Sequence, residues 1–339
     1  MRIQKTSENL RKFERKIIFF TFAYNAEKTI RRTIESVINQ KYSNWIYYIV
    51  DNNSADSTLD IIKDFSEKDA RIIARKNKEN RVWEKGNNWY EIIWEHSEDD
   101  YFCFIDADDE YKPNFLEKLC PFAQEHNLDI AVCGNDHIDI STGELTWTRK
   151  LSENLILENE SFGTDFPTYF PYMRTYWAKL FKISVLRKAD FALTPDVGIF
   201  GADTIFVVGN FRNAGRVGIY AESFHKWYIN NTQSASRKWD DVRINTAKNA
   251  HNFVKKYVLD KAGFISPENN EFLLSVYFNT IKETMINLSE TQMSDREKAD
   301  IYRQIMTSKE TKELANFTFT KYRSLNKDKK ALLENFYGK

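Results

Sequence analysis

The sequence predicts an α/β fold, a mostly parallel sheet flanked by helices, followed by an α-helical C-terminal subdomain. Three observations carry that reading. Short, β-rich apolar runs alternate with amphipathic helical segments through the first 110 residues. Polar or acidic clusters follow directly on three of those runs. From about Asp240 glycine becomes rare and charge-rich helical patterns take over. A chain of 339 residues that is 42% hydrophobic has the apolar content for a real core, in two domains or in one large domain with an appendage.

The elements follow in order. Residues 1–15 read as a polar arm or short helix. Lys16 to Phe22 is a continuous apolar run, as a strand buried on both faces requires. Asn25 is placed to cap the helix after it, in which Ile30, Ile34, Val37 and Ile38 recur at helical spacing. Trp45–Val50 is a second strand, ending in the turn cluster Asp51-Asn52-Asn53-Ser54-Ala55-Asp56. A helix with Leu59, Ile62 and Phe65 inward follows, then a short strand at Arg71–Ala74 and a helix over Asn87–Glu95. Tyr101–Ile105 is a fourth strand and runs straight into Asp106-Ala107-Asp108-Asp109. In such sheets ligands bind at the carboxyl ends of the strands, where Thr21–Asn25, Asp51–Asp56 and Asp106–Asp109 all fall.

Beyond this point Asp129–Gly134 and His137–Ile140 read as two strands, and 143–175 as loop. Trp177–Lys188 and Gly201–Asn213 read as helices, and Val217–Tyr220 and Lys226–Ile229 as short strands. In the tail, Ser266-Pro267 marks a helix start, and Ser294 to Glu297 has capping-box spacing. The division expected is one domain over 1–238, in two halves near 16–110 and 111–238. A helical subdomain over 239–339 would pack on it and contribute to a homo-oligomer.

Composition removes several classes. Lys plus Arg number 49 and Asp plus Glu 49, so the chain lacks the basic excess of a nucleic-acid binder. Cys103, Cys120 and Cys133 form no CxxC pair and read as buried thiols, neither a disulfide framework nor a zinc site. The polar N-terminus has no apolar segment of a secretory signal, and Ile17–Tyr24 is far too short to span a membrane. A soluble protein is expected, in the cytoplasm or peripheral at the inner face of the membrane. There is no GxGxxG after the first strand, no GxxxxGK[ST] and no GxSxG, which argues against dinucleotide dehydrogenases, P-loop NTPases and serine hydrolases.

Asp106-Ala107-Asp108-Asp109 is the sharpest chemical signal. Three carboxylates within four residues repel one another unless a cation or strong hydrogen bonding holds them. Hard oxygen ligands at a strand end suit Mg²⁺ or Mn²⁺ on a diphosphate. The competing reading is a helix N-terminus, where the dipole favours carboxylates and Pro113 suits a helix start. Asp203 is likewise either a helix cap or a functional acid.

The chain resembles the inverting nucleotide-sugar glycosyltransferases of family 2, which have the GT-A fold. Thr21-Phe22-Ala23-Tyr24-Asn25 is similar to the family's opening strand and turn, and Ile34-Glu35-Ser36-Val37-Ile38-Asn39-Gln40 to its first helix. Ile49 to Thr58 resembles Val-Asp-Asp-Gly-Ser-x-Asp-x-Thr, and Phe104 to Asp109 the metal-binding DxD motif. Trp177-Ala178-Lys179-Leu180-Phe181 and Gly201-Ala202-Asp203-Thr204-Ile205-Phe206 match two later segments; residues 240–339 match nothing of the family.

The resemblance implies that Thr21 and Ala23 border the nucleotide and that Asp51 binds its base, usually uracil. It implies that 1–238 is a catalytic domain with 16–110 its donor half and 111–238 its acceptor half, that Asp106 faces the ribose or the metal's surroundings, that Asp108 holds Mn²⁺ or Mg²⁺, and that Asp109 touches the donor sugar or shapes the loop. Lys85 would approach the phosphates; His225 is either a third metal ligand or an ordinary surface or core histidine, and Arg237 and Lys238 either clamp the diphosphate from a mobile loop or are an ordinary solvated basic pair. Asp203 would be the general base. Tyr176, Trp177 and the aromatics of 166–172 are candidates for an acceptor platform, with core packing the competing reading. The departures are Asn52 and Asn53 for Asp-Gly, the altered 80–87 stretch, and Ala202 for the acidic partner of Asp203. The expected activity is metal-dependent inverting transfer from a UDP-sugar to a surface glycan or glycoprotein. The alternative is a catalytically silent GT-A domain serving binding or assembly.

Overall fold

A computed structural model of the chain describes residues 14–80, 88–188, 201–229, 239 and 242–337. It divides into two compact units. The first comprises Met1–Glu158, Thr175–Phe191 and Gly209–Thr232; the second Asn159–Arg174, Ala192–Val208 and Gln233–Lys339. Residues 159–174 thus group with the C-terminal helices, a more interleaved division than a cut near 238.

The first unit is built on one sheet. β1 (Ile17–Ala23), β2 (Trp45–Asp51), β3 (Ile72–Lys76) and β4 (Tyr101–Phe104) pair in parallel in the order β3-β2-β1-β4. β1 is an apolar run because both its faces are covered: Ile17, Ile18, Phe19 and Phe20 are all but inaccessible. Burying each such side chain contributes about 1.5–3 kcal/mol. The helices between these strands are α1 (Ile30–Ile38), α2 (Thr58–Lys68) and α3 (Asn88–Ile92). α1 buries Ile30, Ile34 and Val37 on the stripe its spacing predicts.

Past β4 the sheet becomes mixed. β5 (Glu110–Tyr111) is followed by α4 (Phe115–Glu125), β6 (Ile130–Asp139), β7 (Leu145–Arg149) and β8 (Leu155–Leu157). After α5 (Ser161–Thr164) and α6 (Phe166–Tyr169) come β9 (Lys179–Lys182), α7 (Ile183–Lys188), α8 (Ala202–Asn213) and β10 (Val217–Ile229). β9 lies antiparallel between β4 and β6, β6 and β10 are parallel, and β5 pairs antiparallel with β10.

Several expectations are corrected here. The two strands expected over 129–140 are one continuous strand, β6, because its polar residues Asn135 and Asp136 pair with β10 on one side and β7 on the other. The segment 143–175 is not all loop but supplies β7, β8, α5 and α6. The helix expected over 177–188 begins as strand β9, whose antiparallel partners override its local pattern. The two strands expected over 217–229 are one, β10, with register shifts between Tyr220 and Ser223 and between Ser223 and His225. Asn25 does not cap α1, whose N-cap is Thr29.

The second unit is helical. α9 (Arg243–Ala262), α10 (Pro267–Ser289), α11 (Asp295–Thr307), α12 (Lys309–Asn316) and α13 (Ser324–Tyr337) account for most of it. Leu274, Phe278 and Ile281 form its core with Ile305, Leu314 and Phe319. Ser266 caps α10, and Ser294 with Glu297 forms the expected capping box on α11. Among the described residues no helix is long and apolar enough to cross a membrane.

Candidate active site

The site grows from the carboxyl ends of β1, β2 and β4. Asp51 ends β2, is inaccessible to solvent, and accepts the Ser54 N–H at 3.2–3.3 Å. The turn it holds needs a left-handed residue, and Asn53 supplies it at φ 64°. Asn25, at φ 49°, accepts the Ala55 N–H at 2.9 Å and ties the β1 end to the β2 end. The Ala23 carbonyl accepts the Asn52 N–H at 2.7 Å. The Thr21 hydroxyl is used inside the sheet: it donates to the Ile105 carbonyl at 2.7 Å and meets the Tyr47 hydroxyl at 2.7 Å.

β4 delivers Asp106, Asp108 and Asp109 to one point, each offering an oxygen within 4.8 Å of the other two. Among the described residues they are the one group of three or more side chains that converge in this way. The loop's backbone is fixed by α1: Thr33 donates to the Asp109 carbonyl at 2.8 Å and Arg32 to the Asp108 carbonyl. β5 separates the cluster from α4, so the carboxylates are not the first turn of a helix, and the dipole reading of the sequence is set aside.

The three carboxylates are in different environments. Asp108 is exposed, Asp106 half-buried and Asp109 wholly buried. Asp109 Oδ1 accepts the Tyr228 N–H at 3.0 Å, whereas Oδ2 is buried without a hydrogen bond. Asp106 Oδ1 accepts from the Tyr176 hydroxyl. Loss of solvent, then the charges of Asp109 and Asp108, push Asp106 well above the usual carboxylate range. Burial and the Asp108 charge do the same to Asp109, and loss of solvent raises Asp108. Hard oxygen donors, mutual repulsion and an orphaned buried carboxylate oxygen fit a divalent cation.

His225 lies behind this cluster. It is inaccessible, stacks on Trp177 at 4.3 Å, and places Nε2 3.3 Å from Asp109 Oδ2. Burial, then the nearby Lys179, holds its pKa down to about 3, so the ring is neutral. It is not among the three converging ligands. Beside the cluster, Glu110 accepts from the Tyr228 hydroxyl at 2.6 Å and from Lys226 Nζ at 3.1 Å. The Arg32 guanidinium lies 3.7 Å from the Tyr228 ring centre. Sequence reasoning missed Arg32, Glu110, Tyr111, Lys226 and Tyr228. No local motif marks them; the β5–β10 pairing brings Glu110, Tyr111, Lys226 and Tyr228 together, and α1 adds Arg32.

Other expected residues fall elsewhere. Lys85, Arg237 and Lys238 lie outside the described residues. Asp203 is half-buried in the first turn of α8, following Gly201 at φ 84°, and belongs to the second unit. Of the acceptor-platform candidates, Trp177 is buried in the first unit's core. Phe166, Tyr169, Phe170 and Tyr172 are buried in the second unit, where Tyr169 bonds the Tyr257 hydroxyl at 2.9 Å. These side chains are core, and burial removes them as a platform.

Comparison with known proteins agrees with this layout. The sequence model described as "Glycosyl transferase family 2" matches residues 19–184, the span from β1 through the Asp cluster to β9. The uncharacterized glycosyltransferase YibD of Escherichia coli K12 is 28% identical over 220 residues, 63% of this chain and 61% of YibD. Residues 19–184 of this chain form a family 2 glycosyltransferase domain. An uncharacterized glycosyltransferase of Haemophilus influenzae is 27% identical over 267 residues, covering 75% of this chain and 78% of that protein. The Staphylococcus aureus TarS 1–349 structure in complex with UDP-GlcNAc shares the fold of this glycosyltransferase. It superposes with a TM-score of 0.66 at 15% identity, over 95% of this chain and 89% of that one.

Proposed function

We propose that this glycosyltransferase moves a sugar from a UDP-sugar to a hydroxyl of a bacterial surface glycan or glycoprotein, with inversion and with a divalent cation on the diphosphate. The observation that carries the reading is the convergence of Asp106, Asp108 and Asp109 at the end of β4. Asp108, the exposed member, and Asp106 beside it would hold Mn²⁺ or Mg²⁺. Such an ion, when bound, neutralises the charge gathering on the leaving diphosphate. Asp51 and the backbone at Thr21 and Ala23 line the neighbouring strand ends, where the nucleotide would lie. Asp109, held by Tyr228 and backed by His225, shapes the donor-sugar side.

Asp203 takes the base role on the strength of the Gly201–Phe206 resemblance. Its carboxylate would accept the acceptor hydroxyl's proton as the oxygen attacks the anomeric carbon opposite the leaving group. Relatives support the donor class. TarS was solved with UDP-GlcNAc, and the E. coli relative WfgD is a UDP-Glc β-1,3-glucosyltransferase acting on a GlcNAc-diphosphoundecaprenol. A mannosyltransferase of Pyrobaculum calidifontis, similar in fold at a TM-score of 0.51, was solved with GDP-Man and Mn²⁺, so GDP-sugars belong in any test.

The test is donor hydrolysis with Mn²⁺ across UDP-, GDP- and dTDP-sugars, reading released nucleotide. Turnover of a UDP-sugar that drops at least about 100-fold in Asp108→Ala supports the reading. Full turnover in EDTA would falsify the metal role. Binding of UDP and Mn²⁺ without turnover, even with glycan acceptors added, would favour the silent binding domain.

A further inference from the structure

Ala178 sits in the left-handed region at φ 59° and is 2% exposed. A residue with a Cβ is strained there, and such strain persists only where the surroundings over-determine it. Both sides of Ala178 are pinned in the core. Its N–H donates to the Tyr111 hydroxyl at 2.9 Å, and its carbonyl accepts the Cys133 N–H at 3.0 Å. The Tyr111 hydroxyl in turn donates to the Phe104 carbonyl at 2.9 Å, two residues before Asp106. The Tyr111 ring is held by stacking on Phe115 at 4.0 Å. One hydroxyl therefore joins the strand that delivers the acidic cluster to the strained segment.

That segment reaches back to the cluster on both sides of Ala178. Tyr176 donates to Asp106 Oδ1. Trp177 lies flat on His225, whose Nε2 is 3.3 Å from Asp109 Oδ2. Lys179, itself buried, holds the segment's curvature by donating to the Thr175 and Trp177 carbonyls at 2.6 and 3.0 Å.

We propose that Tyr111 and the strained Ala178 are positioning residues: together they set where Tyr176 and Trp177 hold Asp106 and, through His225, Asp109. The inference rests on the reading of that cluster as a cation site. Neither residue touches donor or cation; each acts through its neighbours.

The test uses the full chain and reads Mn²⁺ affinity from the free-ion paramagnetic resonance signal, well below the melting temperature. Tyr111→Phe removes the shared hydroxyl and is expected to weaken Mn²⁺ binding roughly 10-fold, the lower end of what losing a ligand's direct partner costs, because Tyr111 acts through Tyr176 and Trp177. Adding Ala178→Gly is expected to recover part of that loss, because glycine keeps φ near 59° without the hydroxyl's help. A purely structural role would lower the melting temperature and leave the affinity of the folded protein alone. Unchanged affinity in Tyr111→Phe overturns the proposal, and loss without recovery removes Ala178 from it. If Tyr111→Phe does not fold, Tyr176→Phe decides, with the same loss expected and unchanged affinity overturning. If the native chain binds no Mn²⁺, the cation reading fails by itself. A crystal structure of Tyr111→Phe then decides the inference, which predicts that Tyr176 leaves Asp106 and is overturned if it stays.

Discussion

Replacing Asp108 by asparagine should stabilise the metal-free protein and abolish its response to metal. Its carboxylate lies within 4.8 Å of both Asp106 and Asp109. At an effective dielectric of about 20, two unit charges at that distance repel by about 3.5 kcal/mol. Asp108 is exposed, and interactions between exposed charges measure only about 0.2–1 kcal/mol each. Two such repulsions relieved give a net gain of about 1 kcal/mol, a rise in melting temperature of about 2–4 °C for a unit of this size. The native protein, with the Mn²⁺–UDP pair as one ligand at about 100 times its Kd, gains about 2.7 kcal/mol, and the variant should gain almost none. Melting curves in EDTA and in Mn²⁺ with UDP should therefore cross: Asp108→Asn higher without ligand, lower with it. A variant that melts lower in EDTA and still responds to Mn²⁺ would refute the argument, since Asp108 would then be a stabilising structural residue.

Two further predictions concern stability. Burial, then Lys255, holds His251 down to about 4, below the value near 6.5 of an unfolded chain. The unfolded state therefore takes the proton first, so stability is complete above about pH 6.5 and falls as the pH drops toward 4. At pH 5 the loss is about 2 kcal/mol. Urea midpoints at pH 7 and 5 should show a smaller difference in His251→Phe, and an equal difference would assign the acid lability elsewhere. Gly134→Ala should cost about 3 kcal/mol or more, because a Cβ there would lie 2.2 Å from the Arg149 carbonyl oxygen and 3.1 Å from that of Glu222. Both neighbours are backbone and cannot swing aside; a native-like denaturation midpoint would contradict this.

The first half of the sheet was legible because its signals are local. β1 and β2 are buried on both faces and read as apolar runs, and α1 shows its stripe directly. Asn53 stands where the resembling motif has glycine, and asparagine tolerates the φ of 64° found there. The mixed half was not, because its strands owe their form to partners far away in sequence. Lys179–Lys182 is a strand on account of β4 and β6, and a segment this short, with only Leu180 and Phe181 apolar, does not distinguish strand from helix. The bulge in β10 at Ala221 and Glu222 breaks the local pattern of what is one long strand. The acidic cluster was visible, but its braces were not. Arg32 and Tyr228 are almost 200 residues apart, and Tyr111 reads as an ordinary core aromatic until its hydroxyl is seen between Phe104 and Ala178.

The most direct test of the central claim is calorimetric titration of UDP into the native chain, once with Mn²⁺ and once with EDTA. The carboxylate cluster and the neighbouring strand ends predict saturable binding that weakens at least about tenfold when the metal is removed. Equal affinity in both, or none in either, would contradict a metal-dependent UDP-sugar site on Asp106 and Asp108.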